Sequence, residues 1–127
     1  MIHAFRCPGW SSTLFLAAFV LAPLPAAAAN IPVTTLADAD AVDGECSLRE
    51  AIEAANNDSP YNECAAGTGS SDRILLTVPG TILVTAHLPE FLDSAALVGL
   101  GPGTSTIHGQ DAWTLLRLDT GGSGQTF

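Results

Sequence analysis

Two cysteines, Cys46 and Cys64, bracket a segment whose pattern leaves room for little but a short, well-capped helix. Ser47 followed three residues later by Glu50 is a capping box: the serine oxygen takes the Glu50 backbone N–H, and the Glu50 carboxylate reaches back to the Ser47 N–H. Leu48, Ala51, Ile52 and Ala55 recur at i, i+3, i+4 and i+7, which predicts one apolar stripe on a helix from Leu48 to about Asn56. Asn57-Asp58-Ser59-Pro60 then stops it. The stripe predicts that one face docks on a core, with Arg49, Glu50 and Glu53 turned outward. None of these side chains announces chemistry; a binding role for the helix is the minor alternative.

The cysteines acquire meaning from the beginning of the chain. Residues 1–8 carry His3 and Arg6 and no acid, Leu14–Leu24 is apolar, and Ala26-Ala27-Ala28-Ala29 supplies small residues for an A-x-A cleavage. This pattern predicts a secretory signal peptide over residues 1–29, cut after Ala28 or Ala29; an uncleaved anchor is the alternative. Cys7 precedes the apolar run, which speaks against a lipid-modified N-terminal cysteine. Removing the leader leaves Cys46 and Cys64 as an even pair in an exported chain, and a disulfide is the natural expectation. It would close a loop valued at about 3 kcal/mol in the chain-entropy account. Unpaired thiols and metal ligation are the other readings, the second weakened by the lack of a nearby histidine or CxxC.

Charge narrows the partners. The full chain has 13 acidic residues, 4 basic ones and a formal net charge of −9. The leader holds one arginine and no acid, so the mature chain is more negative still. Such a surface repels phosphate backbones and anionic lipid, which predicts no nucleic-acid partner and no stable membrane anchor after cleavage. It suits solubility outside the cell or cation binding. A disordered acidic chain is disfavoured by the apolar residues between Ile74 and Leu118.

Short β-type runs occupy most of the remainder. Ile31–Leu36 is a candidate strand with Pro32 near its start, and Asp38–Glu45 is an acidic loop. After a Gly/Ser/Asn-rich loop to Ser71, candidate strands at Ile74–Val78, Thr81–Thr85, Ala96–Gly99, Thr106–His108 and Leu115–Leu118 alternate with Gly, Pro and Asp turns. The later strand centres lie roughly ten residues apart, a spacing shared by sandwiches, barrels and solenoids. No hairpin dipeptide such as Asn-Gly joins them. The expectation is therefore mainly β, tilted toward a solenoid in which each strand lies over its counterpart in the next coil, with one short N-terminal capping α-helix. In domain terms, residues 30–71 hold the strand, acidic loop and helix, and residues 72–127 hold the first coils.

The segment Asp43-Gly44-Glu45-Cys46-Ser47-Leu48-Arg49-Glu50-Ala51-Ile52-Glu53-Ala54-Ala55-Asn56 resembles the CSLREA domain of exported bacterial proteins. Val33-Thr34-Thr35, Asp72-Arg73-Ile74, Gly80-Thr81-Ile82, Leu88-Pro89 and Gly99-Leu100-Gly101-Pro102-Gly103 extend the resemblance over nearly the whole mature chain. The helical signature is its specific part. The resemblance implies the start of a right-handed parallel β-helix, with the short α-helix as its N-terminal cap, and an exported or cell-surface location. It implies no catalytic residue.

Candidate sites are few. Asp38-x-Asp40-x-x-Asp43-Gly44, with Glu50 beyond, is similar to oxygen-rich calcium loops, but the third acid falls one residue late for an EF-hand and Glu50 belongs to the capping box. A solvated acidic turn is the plainer expectation, with Ca2+ the only cofactor entertained. Gly99-x-Gly101-x-Gly103 is not a phosphate-binding fingerprint and reads as a turn. His87 and His108 read as surface or turn residues. No GxSxG is present, and an acid pair such as Asp111 and Asp119 is available to any acidic protein. Asn57-Asp58-Ser59 is formally a glycosylation sequon, followed by Pro60.

Two function classes follow. The first is an exported non-enzymatic module with a structural or adhesin-like surface role, whose ligand the sequence does not identify; a carbohydrate or cell-surface ligand is one candidate. The second is the N-terminal part of a carbohydrate-active enzyme, pectate-lyase-like or glycosidase-like, for which Arg117 is a thin supply of basic residues beyond Arg73. The ending Gly121-Gly122-Ser123-Gly124-Gln125-Thr126-Phe127 reads as a turn leading into another strand. It predicts further coils, or self-association through an open C-terminal end.

Overall fold

The computed structural model describes residues 27–69 and 71–112. Most of the leader (residues 1–26), the strand expected at Leu115–Leu118, Arg117, Asp119 and the ending 121–127 lie outside the described residues. Six elements follow in order: β1 (Asn30–Val33), α1 (Leu48–Asn56), β2 (Asp72–Leu76), β3 (Gly80–Leu83), β4 (Ala95–Val98) and β5 (Ser105–His108).

β1, β2 and β4 form a three-stranded sheet with β2 in the centre, and every pairing in it is parallel. β3 and β5 form a second, two-stranded parallel sheet. Parallel neighbours need a crossover, and α1 lies within the first one, between β1 and β2. The helix packs on the two strands it connects. Its stripe of Leu48, Ala51, Ile52, Ala54 and Ala55 meets Ile31, Val33, Ile74 and Leu76 in a single core, completed by Ile82, Val84, Leu88 and Phe91. Register aligns Ile31 with Ile74 and Val33 with Leu76, so the β-branched and leucine side chains of neighbouring strands stack on one face. Burying an isoleucine such as Ile31 or Ile74 completely stabilises the fold by about 2–3 kcal/mol.

The expected right-handed parallel β-helix is corrected here. Parallel short strands are present, but the described residues make a small, mostly sheet fold with one short helix and two small parallel sheets, and no solenoid is formed among them. A solenoid repeats one unit per coil. Here the crossover from β1 to β2 carries a helix, whereas that from β2 to β4 carries a strand of the other sheet. Among the described residues the second sheet also has two strands against three in the first. Strand spacing near ten residues does not distinguish these arrangements, because it reports only strand and turn lengths.

Candidate functional site

The densest polar constellation lies where the acidic loop meets the N-terminus of α1. Ser47 is the N-cap, and both halves of the capping box are made: the Glu50 amide donates to Ser47 Oγ at 3.3 Å, and the Ser47 amide donates to Glu50 Oε2 at 2.9 Å. The Ser47 hydroxyl also donates to the Ala39 carbonyl at 2.5 Å, drawing the acidic loop over the helix end.

Glu50 does not turn outward as the helical stripe predicts; it is 1 % exposed. Its Oε1 accepts from the Ala41 amide at 2.9 Å and from Asn62 Nδ2 at 2.7 Å. The loop on one side and the Cys64 segment on the other thus close over it. Burial pushes its carboxyl pKa up, but the donors from Ser47, Asn62 and Ala41 outweigh burial and hold it below the ordinary value.

Arg49 also turns inward in part. Its Nε and Nη2 clasp the two Asp38 oxygens at 3.1 and 2.8 Å, a bidentate pair over a fully buried Asp38 side chain. Nη1 donates to the His87 carbonyl at 2.6 Å and Nη2 to the Ala86 carbonyl at 3.2 Å. Asp38 further accepts the Thr85 amide (2.7 Å) and hydroxyl (2.9 Å). Burial raises the Asp38 pKa, while the Arg49 and Thr85 donors and the Arg49 charge lower it by more, so it lies below the usual range. Two turns along the helix, Asn56 donates to the Glu90 carbonyl and accepts from the Leu92 amide, at 2.8 and 2.9 Å. Arg49 and Asn56 therefore hold the 85–92 strap at both ends of α1.

The three aspartates of the expected calcium loop do not converge. Asp38 serves Arg49 and Thr85; Asp40 accepts from the Tyr61 hydroxyl (3.2 Å) and Asn62 Nδ2 (3.3 Å); Asp43 accepts from the Glu45 amide at 3.0 Å. The Asp40 bond, followed by its charge, raises the Tyr61 pKa. Among the described residues no group of three or more His, Cys, Asp or Glu side chains is placed to hold a metal ion. Glu45 takes the Thr34 hydroxyl at 2.6 Å.

Cys46 and Cys64 are joined by a disulfide and are both buried. Thr34 tethers the bridge to β1: its amide donates to the Cys46 carbonyl and its hydroxyl accepts the Cys46 amide, each at 2.9 Å. Elsewhere, His108 Nδ1 accepts the Gln110 amide at 3.0 Å, and Asp111 lies exposed in the turn after β5. Gly101 and Gly103 take positive φ in the turn before β5, as a turn reading requires. The chemistry that results is cohesive. Among the described residues every buried side-chain nitrogen or oxygen has a partner, and Asp38, Asp43 and Glu50 each accept backbone amides, whereas Asp40 and Glu45 accept from side chains.

Asn62, Thr85, Asn56 and Asp72 join elements distant in sequence, a role that no local pattern around them signals. Asn56 and Asn62 flank the helix stop, where polar residues ordinarily signal only a turn. Among the described residues no helix is long and apolar enough to cross a membrane. In comparison with known proteins, no family model, no curated protein and no solved structure matches this chain.

Proposed function

We propose that the mature chain is an exported, non-enzymatic module that works in an oxidising compartment or at the cell surface, in a structural or adhesin-like role. The observation that carries this reading is the buried Cys46–Cys64 disulfide, set beside a polar network in which Asp38 and Glu50 hold backbone amides. Disulfides persist where the compartment is oxidising, and a small domain gains much of its stability from one. The signal-like residues 1–29 and the acidic surface support the same reading.

The test uses the full chain in an export-competent bacterial host. The protein should be recovered outside the cytoplasm with Cys46 and Cys64 unreactive to alkylation until reduced. Recovery in the cytoplasm with both thiols free overturns the export reading. Offered cell-surface glycans and polyuronate, the purified protein should bind without turnover. Release of unsaturated sugar products would overturn the non-enzymatic role in favour of a carbohydrate-active enzyme.

A further inference from the structure

Asp72, the first residue of β2, is 2 % exposed. Its carboxylate accepts the Thr68 amide at 3.0 and 3.1 Å and the Thr68 hydroxyl at 3.1 Å. It also accepts the backbone N–H of Ala29, with Oδ1 at 3.2 Å. Among the described residues these donors are two amides and a hydroxyl, all neutral, and a buried carboxylate is costly without strong compensation. Gly67 is bare beside it because a Cβ there would meet Asp72 Oδ2 and, at 2.9 Å, the Ala54 carbonyl. The pocket is thus built tightly around this one carboxylate, and the chain that enters it is the segment where the leader should end.

We propose that leader cleavage falls between Ala28 and Ala29, and that the freed Ala29 α-ammonium forms an ion pair with buried Asp72. This rests on the export reading. By sequence, a cut after Ala28 and a cut after Ala29 are equivalent A-x-A sites. The geometry separates them. The Ala29 carbonyl accepts the Arg73 amide at 2.8 Å, and the Ala29 nitrogen faces Asp72. A cut after Ala29 removes both groups, leaving the Arg73 N–H and Asp72 each short of a partner. A cut after Ala28 keeps both and converts a neutral donor into a cation at the same place. Ala27 and Ala28 are exposed, and Ala29 is the first residue of this segment to be partly covered. Among the described residues, cleavage there breaks one hydrogen bond, from the Thr68 hydroxyl to the Ala27 carbonyl at 2.9 Å, and that hydroxyl already faces Asp72 Oδ1. Chemically, a leader-processing endopeptidase of the host adds water across the Ala28–Ala29 amide. The Ala28 carboxylate leaves with the leader, and the new Ala29 amine takes up a proton. Processing then completes the pocket, so the mature N-terminus is part of the fold.

The chain contains no lysine, so the α-amine is the only primary amine in the exported protein and reports on itself. The full chain is expressed in an export-competent host, and the exported protein is sequenced from its N-terminus. The expected start is Ala-Asn-Ile-Pro. Acetylation by an amine-specific reagent at pH 7 should be about tenfold slower in the folded protein than in urea, as for an amine whose pKa is raised by one unit. Asp72→Asn should abolish most of that protection. If the variant fails to fold, the wild-type protein decides: acetylating its α-amine, which removes the charge, should lower Tm, whereas charge-retaining dimethylation should lower it less. An exported chain starting at Asn30 or any other residue overturns the inference and leaves export intact. So does an Ala29 amine that reacts equally fast folded and unfolded. A full-length chain kept in the cytoplasm with reduced cysteines overturns the export reading, and the inference with it.

Discussion

β2 has two parallel neighbours of similar composition, and they are buried very differently. On one side, β1 places Ile31 and Val33 in the core, essentially without solvent contact. On the other, β4 places Leu97 opposite Ile74 in the same side-chain row, yet Leu97 is 37 % exposed. Ladder hydrogen bonds therefore do not decide burial here. The β1 side is covered by α1 and tethered by Thr34 to the disulfide, whereas β4 continues the sheet away from the helix. Leu92 and Leu100, at either end of β4, are also exposed. Stability should accordingly be graded, highest around α1, β1 and β2 and lower along β4.

The sharpest way to break this comparison is to truncate register partners. Ile74→Ala should cost about 3–4 kcal/mol, because it opens a cavity between α1, β1 and β4. Leu97→Ala, one strand over in the same row, should cost about 1 kcal/mol, since much of its surface already contacts water. Chemical denaturation of both variants measures the gap. Equal losses would mean that β4 is as firmly buried as β1.

Next in size is the disulfide. Replacing Cys46 and Cys64 together by Ala should cost about 3 kcal/mol. The loss should concentrate on the helix side of β2: hydrogen exchange in α1 and β1 should accelerate more than in β5. A uniform acceleration would show one cooperative unit and erase the gradient.

Much of the better-buried region was readable from the chain, because its signals are local. Helix α1 begins at Leu48 and ends at Asn56, as the stripe and capping box predict, since both depend on residues within one or two turns. The candidate strands that lie within the described residues overlap β1 to β5, with ends shifted by up to three residues, because apolar runs mark strands and only hydrogen bonds mark their limits. The fold itself was not legible. Which strand lies beside which is set by the crossovers, and nothing in the short runs encodes them. Glu50 shows the same limit at a single residue. Its position on the helix predicts exposure, and it is buried because Ala41 and Asn62, distant in sequence, supply donors. Asp38 was legible as an acid in a loop, but its partner Arg49 and its hold on Thr85 are tertiary facts.

Those two carboxylates give a smaller, pH-dependent test. Asp38 and Glu50 are held below their ordinary values of 3.8 and 4.5 in the folded chain. A depressed carboxylate binds fewer protons folded than unfolded. Its contribution is therefore complete above the unfolded value and is lost as pH falls through the folded one. Tm should fall on acidification below about pH 4.5, and Glu50→Gln should flatten that decline while lowering stability at neutral pH. An unchanged acid slope in the variant would remove Glu50 from the network. The loss should appear first at α1 and the acidic loop rather than at β4, whose fraying is driven by exposure and not by charge.

The smallest effect separates capping from loop closure at one side chain. Ser47→Ala removes the acceptor of the Glu50 amide and the donor to the Ala39 carbonyl, and should cost about 1 kcal/mol. Glu50 keeps its bonds to the Ser47 amide, Ala41 and Asn62, because none of them uses the serine hydroxyl. The loss should thus stay local to the first turn of α1 and to residues 39–41, with β1 and β2 protected as before. Ser47→Asp restores a side-chain acceptor for the helix but supplies no donor to Ala39, and it places a second carboxylate beside Glu50. If capping carries most of the effect, Ser47→Asp should recover part of the stability in thermal melts. If the variant is weaker than Ser47→Ala, the hydroxyl serves mainly to hold the acidic loop, and the firmness of the β1 side owes more to that loop than to the helix cap.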